Sequence, residues 1–436
     1  MKRILVLGAG LVSRPLVTYL TDREGIEVTV ASRTVRKAEA LVAGRPRGTA
    51  LALNVKDMEA LEGLIADHDL AVSLLPATEH VKVAKLCLKH KKHMSTTSYI
   101  DQEMQDLDAD VKAAELTFIN ECGVDPGIDH MSAMRVIHDA MSKGGKVVSF
   151  QSYCGGLPAP EANTNPIGYK FSWAPRGVLV AATNAAKYLK DGEIVEVPGD
   201  ELFKKPEIVE VPGAGTFEGY PNRDSLPYME MYNLKDLKTM FRGTMRNIGH
   251  CAAWYHWVKL GLFDQMPRAD LMSLTYRRFM QGFVDGAGDI GHALAEKTGL
   301  TEDAPAINNL KWLGMFKDSP IPIDEGGNID VMAARMLKKC SFGPSERDML
   351  ALQHEFEIEY PDRKEKKYST MVDFGIPNGD SAMARTVSLP VAIATRMVVE
   401  GTITQRGIVA PVKPEVYNPI LDELADLGIK CEERVD

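Results

Sequence analysis

The chain has 436 residues, of which 45% are hydrophobic and 25% are charged, and its formal net charge is −9. This composition predicts a globular protein of two or three domains, and the acidic balance argues against a nucleic-acid partner. We recognise no signal peptide and no window resembling a transmembrane span. The six cysteines lack CxxC spacing, which indicates a reducing compartment and no metal site. We therefore expect a cytoplasmic protein that does not bind membranes.

The first predicted element is a short apolar strand, Ile4 to Leu7, which leads into a glycine turn and a helix. Gly8 and Gly10 occupy the first two glycine positions of the dinucleotide fingerprint, and Ser13 replaces the third. Glycines at these positions let the backbone approach a diphosphate, and the helix N-terminus supplies unpaired N–H donors. The order of strand, turn and helix predicts a dinucleotide site. The alternative is a glycine turn that binds nothing.

The end of the second predicted strand, residues 26–31, distinguishes NAD from NADP. An acidic residue at this point would bind the ribose 2′-hydroxyl of NAD, but Ser32 and Arg33 stand there. Because an arginine pairs with a 2′-phosphate through charge-assisted hydrogen bonds, the pattern favours NADP. The alternative is that Arg33 is a surface residue at the start of a helix, for which Thr34 is the predicted N-cap.

Strands and helices alternate as far as residue 130, which is typical of a doubly wound parallel sheet. Such a sheet binds its ligands at the carboxyl ends of its strands. Four residues at the ends of the third and fourth strands are candidates for adenine and ribose contacts: Asn54, Val55, Leu75 and Pro76. After the sixth strand, Asp125-Pro126-Gly127 is a turn signal, and taken alone Asp125 would be a turn acid or a helix cap.

The pattern changes beyond residue 131. Residues 146–153 alternate in the manner of an antiparallel strand. The segment from there to residue 177 is dense in glycine, proline, asparagine and aromatic residues, so we expect a long functional loop. Three arginines further on are possible carboxylate clamps, although each alone is more often a surface residue: Arg223, Arg242 and Arg246.

Residues 249–339 have a mainly helical pattern, and their tryptophans are expected in a core: Trp254, Trp257 and Trp312. A long helix over residues 381–400 is expected to be interrupted at Pro390. The predicted fold class is α/β, with a Rossmann dinucleotide-binding domain, a second α+β sheet domain and a mainly helical subdomain. The predicted boundaries are 1–130 completed by 391–436 for the Rossmann domain, 131–248 with 345–390 for the sheet domain, and 249–344 for the helical subdomain.

Several long strings together resemble one family. They include GVDPGIDH from residue 123, YCGGLPAPE from 153, YKFSWAPRGV from 169, EGYPNRDSLPY from 218 and MFRGTMR from 240. With them, nearly the whole chain resembles the saccharopine reductases, which are the glutamate-forming saccharopine dehydrogenases. The resemblance implies an NADP-linked oxidoreductase of lysine metabolism that interconverts saccharopine with L-glutamate and 2-aminoadipate 6-semialdehyde. The sheet of the second domain is then the expected surface of a homodimer.

The resemblance also assigns roles to residues. It places the cofactor against Gly8, Gly10, Leu11, Val12, Ser13, Ser32, Arg33, Thr34, Asn54, Val55, Leu75, Pro76 and Thr97, with Trp173 near its nicotinamide end. It assigns saccharopine contacts to Ser98, Tyr99, Asp125, Arg223, Gly243 and Thr244. Tyr99, Asp125 and Cys154 are the implied catalytic candidates, because the chemistry needs groups that hold or transfer protons.

Two positions depart from the family pattern. Asn54 stands where an acid is expected, and His250 stands in place of an aromatic residue beside the presumed substrate strand. Both bear on the identity of the substrate. Two alternative functions therefore stay open: a polyamine imine reductase similar to carboxynorspermidine dehydrogenase, which needs fewer carboxylate clamps, and a non-catalytic NADP-binding scaffold.

Overall fold

The structure is a computed structural model that describes residues 1–285 and 288–436. The chain forms two compact units, each assembled from separate segments. The first unit consists of Met1–Lys146, Tyr360–Arg363 and Met371–Arg434. The second consists of Val147–Glu359, Lys364–Thr370 and Val435–Asp436. The three-part division into domains expected above stays a prediction.

Strands and helices alternate through the first segment. Its strands are β1 Lys2–Leu7, β2 Ile26–Ser32, β3 Gly48–Ala52, β4 Leu70–Ser73, β5 His93–Thr96 and β6 Thr117–Ile119. Its helices are α1 Ser13–Thr21, α2 Val35–Val42, α3 Met58–Ala66, α4 His80–Lys89, α5 Gln102–Gln105, α6 Asp108–Ala113 and α7 Ile128–Ser142.

The middle of the chain is rich in both element types. Its strands are β7 Lys146–Pro158, β8 Ala186–Lys190, β9 Glu193–Val197, β10 Glu207–Val211, β11 Gly215–Pro221, β12 Thr239–Asn247 and β13 Asp348–Glu359. Its helices are α8 Pro175–Ala181, α9 Pro227–Met231, α10 His250–Lys259, α11 Tyr276–Gln281, α12 Ile290–Thr298, α13 Pro305–Leu313 and α14 Asn328–Lys339. The last elements are β14 Lys364–Phe374, α15 Ala382–Glu400, β15 Gly407–Val409, α16 Pro414–Asp426 and β16 Glu432–Val435.

The first unit contains a parallel sheet with the strand order β15-β6-β5-β4-β1-β2-β3. The strand β1 is central, and Ile4 to Leu7 are completely buried. Because the strand order reverses on the two sides of β1, a crevice for ligands is expected at its carboxyl end. The predicted α/β fold with a doubly wound parallel sheet is confirmed.

The second sheet is mixed and has the order β10-β11-β12-β7-β13-β14-β16, with the β8–β9 ribbon attached to β12. The strand β7 pairs in parallel with β12, placing Cys154 opposite Thr244. The pairing with β12 is thus parallel, where an antiparallel strand was expected. The expected long loop begins after Pro158 and runs over residues 159–174, as far as α8. Residues 147–150 of β7 are buried without alternation and the strand continues to Pro158, as suits an interior strand covered on both faces.

An aromatic core joins the helices of the second unit to residues between Ile167 and Phe203. Trp254 and Trp257 are almost completely buried in it, as predicted. Trp312 is only half-buried, contrary to its expected place in the core. The Lys339 ammonium lies 4.9 Å from the centre of its ring, so Trp312 covers the surface of this core.

The helix α15 runs uninterrupted through Pro390, so the predicted interruption is absent. Proline removes the backbone donor to the carbonyl four residues earlier. Nearby hydroxyls bond carbonyls of the preceding turn, with Ser388 donating to Ala384 at 2.8 Å and Thr386 to Ala382 at 2.8 Å. By length and composition this helix qualifies as a membrane span, which the sequence analysis did not recognise, but 78% of the qualifying window is buried inside the protein.

Candidate dinucleotide and substrate sites

The glycine turn after β1 contains two glycines with different constraints. Gly8 has φ of +114°, and a Cβ atom there would lie 3.0 Å from the carbonyl oxygen of Leu74. Only glycine therefore fits at this position, because any side chain would strain the backbone and crowd the Leu74 carbonyl. Gly10 has ordinary φ, and a Cβ atom there would meet no protein atom within 4 Å. Open space lies beside Gly10, where the fingerprint places a diphosphate.

Ser13 stabilises this turn in place of a third glycine. Its buried hydroxyl accepts the Gly10 N–H at 3.0 Å and donates to the Gly8 carbonyl at 3.3 Å. Within the described chain, the amides of Leu11 and Val12 donate to no protein acceptor, and no side chain caps α1. These amides and the positive end of the helix dipole suit a phosphate group. The residues present therefore fit a dinucleotide.

The segment after β2 is exposed and positively charged. The Ser32 hydroxyl accepts the Thr34 amide at 3.3 Å. Thr34 is at the N-cap of α2 as predicted but makes no side-chain capping bond, because the Lys37 amide bonds the Thr34 carbonyl at 3.0 Å instead. Arg33, Arg36 and Lys37 are exposed, and no acidic side chain of the described residues pairs with them.

The other predicted cofactor residues follow strands of the same parallel sheet. Asn54 is exposed and its side-chain oxygen accepts the Lys56 amide at 3.1 Å, so it forms a turn of its own after β3. Of the remaining four, Pro76 is exposed and three are half-buried: Val55, Leu75 and Thr97. Since the carboxyl ends of parallel strands meet at one edge of a sheet, all of these residues lie at the same edge of the sheet.

A buried histidine that the sequence analysis did not single out connects two of these strand ends. His80 Nδ1 lies 2.8 Å from the Ser73 hydroxyl at the end of β4, and Nε2 lies 2.8 Å from the Ser98 hydroxyl. Burial lowers the pKa of His80 to about 4. The imidazole is therefore neutral near pH 7 and orients the hydroxyl of Ser98, a predicted substrate contact.

Replacing His80 with glutamine is expected to make the free energy of unfolding fall less steeply as the pH is lowered below 7. The unfolded chain takes up a proton on this side chain below about pH 6.5, whereas the folded chain does so only near its lowered pKa of about 4. His80 therefore reduces stability as the pH falls through this window, by roughly 3 kcal/mol in total. Urea unfolding at pH 7, 6 and 5 measures the difference. Identical slopes in the two proteins would contradict it.

Tyr99 and Asp125 form the pair of titratable side chains that the resemblance implied. The Tyr99 hydroxyl donates to Asp125 Oδ1 at 3.1 Å, and both residues are half-buried. Asp125 is not a helix cap, because Gly127 holds the N-cap position of α7 without a side-chain bond. Gly127 has φ of +146°, and a Cβ atom there would lie 2.0 Å from the Gly123 carbonyl oxygen. The turn thus presents Asp125 to Tyr99.

The remaining predicted site residues belong to the second unit. Cys154 and Thr244 are opposite one another on β7 and β12. A Cβ atom on Gly243 would lie 2.6 Å from the Phe241 ring and 2.9 Å from the Tyr220 carbonyl oxygen, so close packing explains this glycine. The half-buried Trp173 ring occupies the space beside Gly177, where a Cβ atom would lie 2.9 Å from it.

The structure separates the three candidate arginines. Arg223 is exposed, has φ of +57°, and its carbonyl accepts the Lys187 amide at 2.9 Å. Arg242 is buried, with its guanidinium 4.3 Å from the centre of the Tyr228 ring. Arg246 is also buried, and its neighbour Glu218 on β11 accepts the Gly249 and Cys251 amides instead of pairing with it. No carboxylate of the described residues lies within 4 Å of the Arg246 guanidinium. A buried cation without an acidic partner is costly, and this makes Arg246 the candidate anion site.

The surroundings of Arg246 contain further polar atoms without protein partners. The guanidinium lies 4.9 Å from the centre of the Tyr169 ring and its Nη1 donates to the Met245 carbonyl at 2.8 Å. In the part of the chain that the structure describes, Arg246 Nε, both ring nitrogens of His250 and Trp254 Nε1 are buried without a hydrogen-bond partner. Such a cluster is a place where a polar ligand or water would be bound.

His250, the second departure from the family pattern, lies within an aromatic cluster. Its ring stacks on Trp254 with 4.3 Å between the centroids. Burial, and then the positive charge of Arg246, hold the pKa of His250 well below its usual range. The imidazole is therefore neutral. Sequence reasoning named His250 but not the cluster, because the pairing of β11 with β12 and the packing of α10 bring these residues together.

Comparisons with known proteins agree with the resemblance. Residues 4–119 match the model described as the saccharopine dehydrogenase NADP binding domain, and residues 123–429 match the saccharopine dehydrogenase C-terminal domain. The chain is 38% identical, over 100% of its length and 99% of the relative, to "Saccharopine dehydrogenase [NADP(+), L-glutamate-forming]" of Schizosaccharomyces pombe. The Pyricularia oryzae protein of that name is 40% identical over the same shares of the two chains.

A solved structure is similar over the whole chain. It is the apo form of histidine-tagged saccharopine dehydrogenase (L-Glu forming) from Saccharomyces cerevisiae, which is 37% identical, with a TM-score of 0.90 and full coverage of both chains. The predicted relationship is confirmed by these comparisons.

Proposed function

The chain belongs to the saccharopine dehydrogenase family, and from this premise we propose how its own residues perform the family's reaction. The enzyme interconverts saccharopine with L-glutamate and 2-aminoadipate 6-semialdehyde and uses NADP(H). In the oxidative direction the carbon beside the secondary amine loses a hydride, water adds to the imine, and glutamate departs. A purified sample incubated with saccharopine and NADP⁺ should gain absorbance at 340 nm. No change with either nicotinamide would overturn the activity.

NADP, when bound, supplies the hydride acceptor. We assign its diphosphate to the amides of Leu11 and Val12, which have no protein acceptor in the described chain, and to the turn that Ser13 stabilises. Its 2′-phosphate is assigned to Arg33 with Ser32. We assign the adenine and ribose contacts to four residues at the strand ends: Asn54, Val55, Leu75 and Pro76. We also assign Thr97 to the border of the cofactor and Trp173 to its nicotinamide end, as the family resemblance implies.

Replacing Arg33 with alanine should shift the enzyme toward NAD. A hydrogen bond to a charged group contributes about 1.5–3 kcal/mol, so the KM for NADP should rise about 10- to 100-fold. The KM for NAD should change less than twofold, because NAD lacks the 2′-phosphate. Initial rates with both cofactors measure the change. The matched control is Arg36→Ala, three residues further along in the first turn of α2 and also exposed. An equal rise in the KM for NADP in that variant would show that the effect comes from the general positive charge of this segment and not from a contact of Arg33.

Saccharopine carries three carboxylates, and we assign two of them to arginines. Arg246 offers a buried guanidinium with no acidic partner among the described residues. Arg223 offers an exposed guanidinium on a left-handed backbone, a conformation that persists where a site uses it. Thr244, with its half-buried hydroxyl, completes this set. Gly243 stays a predicted substrate contact. The close packing of Phe241 and Tyr220 around it requires a glycine whether or not substrate binds there.

Proton handling is assigned to Tyr99 and Asp125, and Cys154 stays the third catalytic candidate that the family resemblance implies. The reaction must remove a proton from the secondary amine and from the attacking water. A half-buried carboxylate that accepts a hydrogen bond at 3.1 Å from a tyrosine hydroxyl is held in one orientation, which suits a group that accepts and returns a proton. In this assignment the Asp125 carboxylate accepts the proton, and the Tyr99 hydroxyl holds the carboxylate in the orientation in which it does so.

We also propose that the enzyme acts as a cytoplasmic homodimer associated through the second sheet. Its edge strands β9 and β10 expose Ile194 and Ile208, which are 56% and 63% accessible. Exposed apolar residues on edge strands favour association. Light scattering should give twice the chain mass of 47.9 kDa. A monomer at micromolar concentration would overturn the dimer.

A further inference from the structure

Glu121, which follows β6, combines two unfavourable features. Its side chain is buried, with only 3% of the residue accessible, and its backbone is left-handed with φ of +52°. Burying a carboxylate costs free energy unless it is well bonded, and a left-handed backbone costs about 1–3 kcal/mol more in a residue with a side chain. A residue with both costs is expected where its hydrogen bonds hold neighbouring segments in place.

The contacts of Glu121 hold the backbone on both sides of Tyr99. The Glu121 N–H donates to the Ser98 carbonyl at 3.0 Å. Its Oε1 atom accepts the Ile100 N–H at 2.9 Å. The peptide segment that carries the Tyr99 ring is thus tied to one residue at two points, immediately before and immediately after the tyrosine.

The second oxygen of the same carboxylate reaches the segment that carries Asp125. Glu121 Oε2 lies 2.7 Å from Nε2 of the fully buried His130, in the first turn of α7. Next to His130, the Asp129 carboxylate accepts the Gly127 N–H at 2.6 Å, which fixes the turn after Asp125. One carboxylate therefore connects the segment of Tyr99 with the turn of Asp125.

We propose that Glu121 and His130 are positioning residues that set the Tyr99 hydroxyl against the Asp125 carboxylate in the saccharopine site. This rests on the proposed function, since Tyr99 and Asp125 are assigned there as the proton-handling pair. Glu121 acts through the two backbone bonds and the contact with His130.

The test compares Glu121→Gly with Glu115→Gly. Glu115 also has a left-handed backbone, with φ of +55°, but it is exposed on the loop before β6. Glycine adopts both left-handed backbones without strain. Any effect found only in Glu121→Gly therefore comes from the loss of its side-chain contacts and not from relief of backbone strain. For Glu121→Gly, kcat/KM for saccharopine should fall about 10- to 100-fold, as misplacement of reacting groups does. Glu115→Gly should stay within twofold of the parent, and NADPH affinity should be unchanged in both.

Two further variants test whether Glu121 acts through Tyr99. Glu121→Gln keeps an acceptor for the Ile100 N–H and should restore most of the activity. In a double-mutant cycle with Tyr99→Phe, the losses from Glu121→Gly should be non-additive, because the glycine variant has already misplaced the hydroxyl. Additive losses would overturn the proposal, as would wild-type kinetics in Glu121→Gly.

Thermal unfolding shows whether each variant folds. If Glu121→Gly does not fold, the same cycle with His130→Gln decides: additive losses or unchanged kinetics in that variant overturn the positioning role, and coupled losses support it. Failure of the proposed function is distinct, because then the parent enzyme itself does not oxidise saccharopine. An active parent with an unaffected Glu121→Gly removes only the positioning role.

Discussion

Replacing Gly8 with alanine should abolish NADP-dependent turnover and also destabilise the first unit. The new Cβ atom would lie 3.0 Å from the Leu74 carbonyl oxygen, on a backbone with φ of +114°. A side chain in this conformation costs about 1–3 kcal/mol, and relief of the contact would move the turn from the position that binds a diphosphate. We expect the dissociation constant of NADPH, measured by fluorescence titration, to rise at least about 100-fold.

Two matched glycines separate the causes of this effect. Gly25→Ala has the same kind of backbone strain, with φ of +80° and open space around it, so it should lower stability without changing NADPH affinity. Gly10→Ala places a methyl group where no protein atom lies within 4 Å, so it should weaken NADPH binding without loss of stability. NADPH affinity within fivefold of the parent in Gly8→Ala would contradict the assignment of this turn.

Arg246→Met is expected to lose substrate affinity while gaining stability in the absence of ligand. The variant removes a buried charge that has no acidic partner in the described chain. The cost of burying that charge exceeds what its contact with the Tyr169 ring at 4.9 Å returns, so we expect a methionine of similar volume to be stabilising. It also removes the assigned carboxylate contact, so the KM for saccharopine should rise about 100-fold, or about 2.7 kcal/mol. NADPH affinity should be unchanged. Steady-state kinetics and denaturant unfolding measure the two effects.

The matched control is Arg242→Met, on the same strand and equally buried. Arg242 packs on the Tyr228 ring at 4.3 Å, so its loss should lower stability. Arg246→Lys keeps the charge but not the planar fork of donors, and its KM should be intermediate. An unchanged KM in Arg246→Met, or a fall in its stability as large as that of Arg242→Met, would show that Arg246 is structural.

The first unit was predictable from sequence because its signals are local. Gly8, Ser13 and Arg33 stand at fixed distances from strands whose apolar runs are visible in the sequence, and the parallel order follows from alternating elements. The second unit was less predictable, because its strand pairing joins distant segments. The strand β7 pairs in parallel with β12, whose residues lie about 90 positions later, and no residue near position 146 encodes that partner or its direction.

The candidate site was predictable by residue type but not by environment. The sequence offered three arginines, but only the packing around β12 leaves Arg246 without an acidic partner among the described residues. His80 and Glu121 were missed because their partners lie up to about 20 positions away and no spacing rule connects them. Their roles follow from hydrogen bonds that form only when the strands align.

The way in which the first unit takes up the end of the chain has a consequence for biosynthesis. Its strand β6 pairs with β15, which forms the edge of the sheet, and the Thr117 hydroxyl donates to the Gln405 carbonyl, 288 positions later. At ribosomal rates, these segments emerge on the order of 15 to 60 seconds apart. During that interval the nascent chain carries an open, apolar sheet edge and the uncovered faces that α15 and α16 later pack on. We therefore expect polypeptides that end before residue 382 to bind chaperones during translation and to aggregate when released.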